Sequence, residues 1–473
     1  MDRQSVLRNK SEVPGPLRRV AAVAGATLVM VPALAGAETL ETALARAYSG
    51  NPSLDAQRAA VRATDENVPR ALSGYRPSVT ASGSIGANYA TGVSTQTGVD
   101  RNFRRNLFPG SVGLNVTQNL FNGFRTANSV RQAESQVLGA RETLRNSEQT
   151  TLFSGAQAYM NVLRDTAILD LQRNNVEVLE EQLRQTRDRF NVGEVTRTDV
   201  AQAESRLAQA RSQVAVAESN LQASIAVYRQ VVGVEPRQLA PGRPVDRLVP
   251  RSLVTAVQIG LEEHPAVISA LHAVDVAELQ VKVTEGELAP TVNIVGQVTQ
   301  ARDSSFPGDQ TTSAAIAGQI SVPIYTGGEV YARVRQAKET AGQRRIEAEA
   351  TRDQVRAAVI SSWGDLEAQK ANVQAAQAQV AAAEVALTGV REEARVGQRT
   401  TLDVLNQQQE LLNARVNLIT AQRNRVVASF SVVQSIGRLS ARSLGLGTAI
   451  YNAKQHFDQV KDLPWGLRTP DGR

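Results

Sequence analysis

Few residues in this 473-residue chain could carry chemistry: three histidines (His264, His272 and His456), no cysteine, and two aspartates, Asp199 and Asp403, set in similar short segments. The histidines fall at no metal-ligand spacing, and without cysteine there is neither a thiolate site nor a disulfide. No phosphate-cradling loop and no nucleophile motif occurs. We therefore expect no catalytic residue, no metal and no cofactor. His264 precedes Pro265 just as Asn51 precedes Pro52, a pattern that assigns it to a helix end. The two aspartates lie in the segments 192–200 and 396–404, each with a glycine, Gly193 or Gly397, able to close one helix and Thr/Asp residues able to open the next. Read from these residues alone, the two aspartates are capping charges at helix amino termini.

The elements that would position these residues come in a tandem repeat. Residues 39–79 align without a gap to 252–292 at an offset of 213, pairing Leu40 with Leu253, Pro52 with Pro265 and Pro77 with Pro290. Further on the offset becomes 204, pairing Ala133 with Ala337, Gly193 with Gly397, Asp199 with Asp403 and Gly233 with Gly437. The difference of nine residues is expected in one exposed loop within 91–110, opposite 301–312, because loops tolerate such changes and packed elements do not. A connector with Pro236, Pro241, Pro244 and Pro250 joins the halves. The expected organisation is a first repeat over 38–251, a second over 252–440 and a tail over 441–473.

Proline is absent from 110–235 and 324–463, and apolar residues there recur at spacings of three and four (Val200, Ala203, Leu207, Ala210, Val214, Ala217). This predicts alanine-rich coiled-coil hairpins over about 128–233 and 329–437. Ahead of each hairpin the period changes to two. Val79, Ala81, Gly83 and Ile85 alternate with Thr80, Ser82 and Ser84, and three further segments behave alike. The expected strands are about 78–90, 111–120, 291–300 and 313–324, each with one apolar and one small-polar face, as in a transmembrane β-barrel. Four strands cannot close a barrel and an open edge is not tolerated in lipid, so several copies must contribute, three giving twelve strands.

Of the formal net charge of +6, +3 falls within the first 37 residues, which gives nucleic-acid binding little support. That basic start, an apolar run over 20–31, Pro32 and a small-residue run ending at Ala37 have the order of a signal peptide over 1–37, cleaved between Ala37 and Glu38. An amino-terminal anchor is the alternative, and Arg18-Arg19 leaves both the general and the twin-arginine export routes open.

The duplicated helix, strand, strand, helix, helix order, the glycines leading into the long helices at Gly123 and Gly327-Gly328, and the tips at 192–200 and 396–404 resemble the TolC-like outer-membrane channel family. The resemblance implies a mainly α protein with a membrane β part: a trimer with a twelve-stranded β-barrel continued by a periplasmic α-helical coiled-coil barrel. Its tips would form the closed end. It further implies a passive exit duct of a tripartite efflux pump or type I secretion system, working with a periplasmic adaptor and an inner-membrane pump of the RND or ABC type. By motif position Asp403 matches the family's aspartate ring, Arg399 the arginine that links to a neighbouring hairpin, and Thr198 and Asp199 its partners. The chain departs from the best-known pattern at Asn406, where a second acid can stand, and at Ala394, where a tyrosine can. Val192, Gly193, Val396 and Gly397 become candidate adaptor contacts. A periplasmic coiled-coil adaptor or structural protein without a channel is the alternative; such a protein would show one hairpin flanked by soluble β domains.

Overall fold

The computed structural model describes residues 37–96 and 99–472. The expected leader therefore lies outside the described residues except for Ala37, and Glu38 opens the compact unit that holds the rest of the chain. Helices α1 (Leu40–Gly50), α2 (Pro52–Asp65) and α3 (Asn67–Leu72) lead to strands β1 (Ser78–Ile85), β2 (Asn88–Gln96), β3 (Val99–Leu107) and β4 (Gly110–Phe121). The long helices α4 (Arg125–Asn191) and α5 (Arg197–Val232) follow. The second half repeats the order with α6 (Leu253–Glu263), α7 (Pro265–Glu285), β5 (Thr291–Arg302), β6 (Gln310–Ser321), α8 (Glu329–Arg395) and α9 (Thr401–Ser435), and a last helix, α10 (Ala453–Val460), lies in the tail. Both α4 and α8 run for 67 residues, about 100 Å at the α-helical rise of ~1.5 Å per residue. No described helix is long and apolar enough to cross a membrane.

Four strands form one antiparallel sheet in the order β1-β4-β5-β6. Its register puts Val79, Ala81, Val112, Leu114, Val116, Gly296, Val298, Ala314 and Ile316 on one face, opposite Thr80, Ser82, Asn115, Gln297 and Ser313 on the other. The sequence pattern blurs at Val295-Gly296; pairing resolves it by placing Gly296 between Val116 and Ile316 on the apolar face. Strand β6 stops at Ser321 rather than near residue 324, because Pro323 has no N–H to give a ladder.

The first expected strand needs a larger correction. The alternation through Ala87 and Tyr89 suggests one strand to residue 90, but β1 ends at Ile85 and a second pair, β2 and β3, begins at Asn88. Ile85 pairs with Gly110 and Asn88 with Leu107, so the same register continues across an interruption. The break is at Pro109, which cannot donate to the ladder; its carbonyl instead accepts from Gly86 N–H at 2.9 Å. The segment 91–110, within which an exposed loop is expected to hold the nine-residue difference, is thus largely a β-hairpin extension of β1 and β4, while the second half turns back between Arg302 and Gln310.

The hairpins pack as the heptad pattern predicts, with Ala203, Leu207, Ala210 and Ala217 buried on α5. Midway along α4 a larger core gathers Leu44 and Tyr48 of α1, Leu152 and Tyr159 of α4, Tyr228 of α5, Phe430 of α9 and Leu439 and Leu444 of the tail. The Tyr159 hydroxyl lies 2.7 Å from the Glu38 carbonyl and 2.6 Å from that of Ala240, which fixes the start of the unit against the connector.

The halves diverge at Pro69. Its ring crowds the carbonyl four residues back, at Asp65, and splits the first half's helix into α2 and α3, whereas Lys282 at the equivalent place leaves α7 unbroken. Asp65 is fully buried there, with its carboxylate 3.0 Å from His456 Nδ1 on α10. Burial pushes the Asp65 carboxyl up, and the His456 hydrogen bond and nearby Arg141 act against that shift. His456→Ala strands this buried carboxyl, a loss of about 1–3 kcal/mol. The expected result is release of the tail, seen as faster tryptic cleavage at Lys454 and Lys461 than in the parent protein.

Candidate functional site

The repeated aspartates lie where each long hairpin reverses. Helix α4 ends as Gly193 enters the left-handed region at φ +82°, with Gly193 N–H donating to Phe190 O and Glu194 N–H to Arg189 O. These are the two bonds of a Schellman motif. Helix α8 ends identically: Gly397 has φ +79°, its N–H donates to Ala394 O, and Gln398 N–H donates to Glu393 O. A side chain at either glycine would be strained by that backbone.

Each following helix opens with a capping box. Asp199 Oδ2 accepts from Thr196 N–H at 2.8 Å and from its hydroxyl at 2.7 Å, while Asp199 N–H donates to Thr196 Oγ1 at 3.3 Å. In the second half Asp403 Oδ2 accepts from Thr400 N–H at 3.0 Å and from its hydroxyl at 2.8 Å, and the reciprocal bond is 3.2 Å. These hydrogen bonds hold both carboxyls below the ordinary aspartate range, with Arg399 adding to the effect at Asp403. Both aspartates are therefore charged at neutral pH. Both of the bonds that Asp403 accepts end on Oδ2.

The structure brings only some of the expected gate residues together. Arg399 Nε bonds Glu393 Oε2 of its own hairpin at 2.8 Å, an interaction that raises the guanidinium pKa, and it does not reach Thr198 or Asp199 within the chain. Thr198 is exposed in the first turn of α5. Val192 and Val396 are exposed at the tips. Asn406 does join the hairpins: its Oδ1 accepts from Arg206 Nη2 of α5 at 2.7 Å. Beside it, Leu405 of α9 enters the apolar seam of the other hairpin with Leu179, Leu183, Ala203 and Leu207.

Arg206 and Glu393 are absent from the sequence reading. Nothing in their local spacing separates them from the many charged residues of solvated helix faces. The repeat offset of 204 marks other residues: Arg211–Glu180 and Arg415–Glu384, both 2.7 Å, are the same ion pair repeated once within each hairpin. Among the described residues no group of three or more His, Cys, Asp or Glu could hold a metal ion. His264 caps α7, its Nδ1 accepting from Ala266 N–H at 3.1 Å, and burial lowers its pKa.

The family model described as outer membrane efflux protein matches residues 43–234 and 256–438, one block per repeat. The chain belongs to the outer membrane efflux protein family. It is 42% identical over 457 residues to the outer membrane efflux protein BepC of Brucella suis, covering 95% of this chain and 97% of that protein. It is 26% identical over 440 residues to the outer membrane protein TolC of Escherichia coli, covering 89% and 86%. The fold matches the CmeC outer membrane channel of Campylobacter jejuni with a TM-score of 0.75 at 16% identity, over 89% of each chain. This efflux channel accordingly sits in the outer membrane by its β part and extends its helices into the periplasm as a tunnel, serving an efflux or secretion system as the exit duct.

The tip caps respond to mutation and to acid. Thr196→Ala removes the acceptor for Asp199 N–H, at a cost of about 1 kcal/mol to the helix end. Amide hydrogen exchange at residues 198–200 is expected to rise roughly fivefold. A depressed carboxyl pKa stabilises the caps above the unperturbed value of about 3.9 and loses that contribution as pH falls through the folded value, so amide protection at both tips, corrected for the intrinsic exchange rate, falls only in strong acid.

Proposed function

We propose that three copies of this channel close a single twelve-stranded barrel, β1 of one copy pairing with β6 of the next. The observation that carries this reading is the sheet itself: among the described residues β1 pairs only with β4 and β6 only with β5, every residue of both edge strands is exposed, and one face is apolar. Two open edges in hydrocarbon would leave backbone groups without partners at several kcal/mol each. Pairing between copies removes both edges at once.

In this reading the paired hairpins of three copies taper to the periplasmic end, where Asp403 from each copy supplies one carboxylate of a ring. The Asp403 cap supports this role, since it keeps the carboxylate ionised and holds it on a rigid helix end. Asn406 contributes no second ring; bonded to Arg206, it ties the second hairpin to the first. Arg399, with Thr198 and Asp199 of a neighbouring hairpin, supplies the links between copies. The exposed tips at Val192, Gly193, Val396 and Gly397 receive a periplasmic adaptor, which connects the duct to an inner-membrane pump of the RND or ABC type. The duct performs no bond chemistry, binds no nucleic acid and draws its energy from that pump. The efflux designation of BepC supports small toxic compounds as cargo, with secreted proteins as the alternative. Cleavage after Ala37 leaves Glu38 as the new amino terminus, already held by backbone bonds to Gln238 and Ala240.

A heat-modifiable trimer in outer-membrane fractions is the expected outcome; recovery as a soluble periplasmic monomer would instead support a coiled-coil adaptor. In planar bilayers Arg399→Ala and Asp199→Ala are expected to raise single-channel conductance several-fold, and unchanged conductance in both would reject the gate assignment. Drug susceptibility and the secreted proteins of a deletion strain separate the two cargo classes.

A further inference from the structure

The carboxy-terminal segment follows the first half of the fold towards the sheet. Tyr451 N–H donates to the Tyr48 hydroxyl at 3.0 Å, and Arg58 lies over both the Tyr48 and Tyr451 rings, 4.7 and 5.4 Å from their centroids. Helix α10 then docks on α2 through His456 and Asp65, with Arg141 over the Phe457 ring at 5.1 Å. Beyond α10 the chain forms a loop pinned at two places. Arg76 donates to the carbonyls of Asp462 and Leu463 at 3.3 and 3.1 Å, and Arg62 pairs with Asp471 at 3.4 Å.

Between the pins, the loop holds its apolar side chains outward. Trp465 is 87% exposed, Leu467 fully so and Leu463 about half. Gly466, at φ +127°, makes the turn between them in a conformation that side chains disfavour. A pinned tip with an indole and two leucines in the open is unlike a surface with scattered single hydrophobics. Its place in the fold is specific as well. Arg76 stands two residues ahead of β1, at the helix-side end of the sheet, and the same end carries exposed Tyr75, Leu120, Phe124, Ile324 and Tyr325. That is an aromatic and aliphatic belt of the kind found where a barrel leaves hydrocarbon.

We infer that the loop at 463–467 is an interfacial anchor, placing Trp465 and Leu467 at the headgroup and acyl boundary of the phospholipid leaflet on the helix side of the barrel. The loop continues the lipid-facing belt outward, so the occupant is lipid. Indole is suited to that boundary because its body is apolar and its N–H remains wet. The pins are hydrogen bonds and an ion pair to α2 and the start of β1, so the tip is positioned without using its own apolar side chains for packing. The inference rests on the barrel reading above.

The full-length channel has two tryptophans, and Trp363→Phe leaves Trp465 alone to report. In phosphatidylcholine and phosphatidylglycerol vesicles, lipids brominated near the headgroup are expected to quench about half of its emission, and deeply brominated lipids less, for a group seated roughly 5–10 Å into the boundary. Emission unaffected by bromine at either depth would overturn the anchor, leaving Trp465 against water or a neighbouring copy. A control with Trp363→Phe, Trp465→Phe and Ile324→Trp reports the sheet separately. Quenching there without quenching at Trp465 rejects the anchor and keeps the barrel; quenching at neither rejects both. Should Trp363→Phe fail to fold, Leu467→Cys in this cysteine-free chain carries an environment-sensitive dye, with a blue shift in vesicles expected and no shift overturning the proposal.

Discussion

Backbone hydrogen bonding in hydrocarbon is the constraint on which the rest of this channel depends. A strand edge in water finds partners at no great cost, whereas in lipid each unpaired N–H or C=O is uncompensated. The four-stranded sheet leaves two edges, β1 and β6, at its opposite sides. The apolar face, the glycines and alanines among its residues, and the stop at Pro323 all suit a sheet that is completed by others rather than covered by its own helices. The interruption at Gly86 and Pro109 fits the same view: the ladder of the first half breaks and the hairpin continues beyond the level reached by β5 and β6.

At the other end of the molecule, charge and geometry are combined in one group. Asp199 and Asp403 answer the unsatisfied amides that begin any helix, and the same hydrogen bonds keep them ionised. A cap and a charged ring are therefore compatible uses of one carboxylate. The glycine that precedes each cap has a backbone only glycine adopts easily, so both reversals are rigid and alike. The distinction between the hairpins lies in their contacts. The first holds Arg206, the second Asn406 and Leu405, and these residues join the two seams.

Duplication explains the symmetry, and the tail explains where it fails. Only the first half has Pro69, only there is the helix split, and Asp65 at the split is the buried residue that receives His456 of α10. The equivalent helix α7 stays continuous. The first half thus carries a broken helix with α10 docked on it, and the second half an unbroken α7 despite the shared order.

Periodicity and proline placement determined much of this protein before any fold was known. The proline-free spans and their heptads predict long hairpins from about 128 and 329, where the structure starts helices at Arg125 and Glu329, and the Gly and Asp spacing marks both tips, because capping and heptad packing are local and act within a few residues. The His264 cap was legible for the same reason. The interruption at Pro109 was not, since a ladder breaks only opposite a known partner strand, and alternation through Tyr89 carries no trace of it. Arg399 with Glu393, Arg206 with Asn406 and Asp65 with His456 were likewise decided by the tertiary structure. Each joins groups whose meeting depends on turns, helix phase or a tail laid across another element, and a charge on a solvated helix face does not announce its partner.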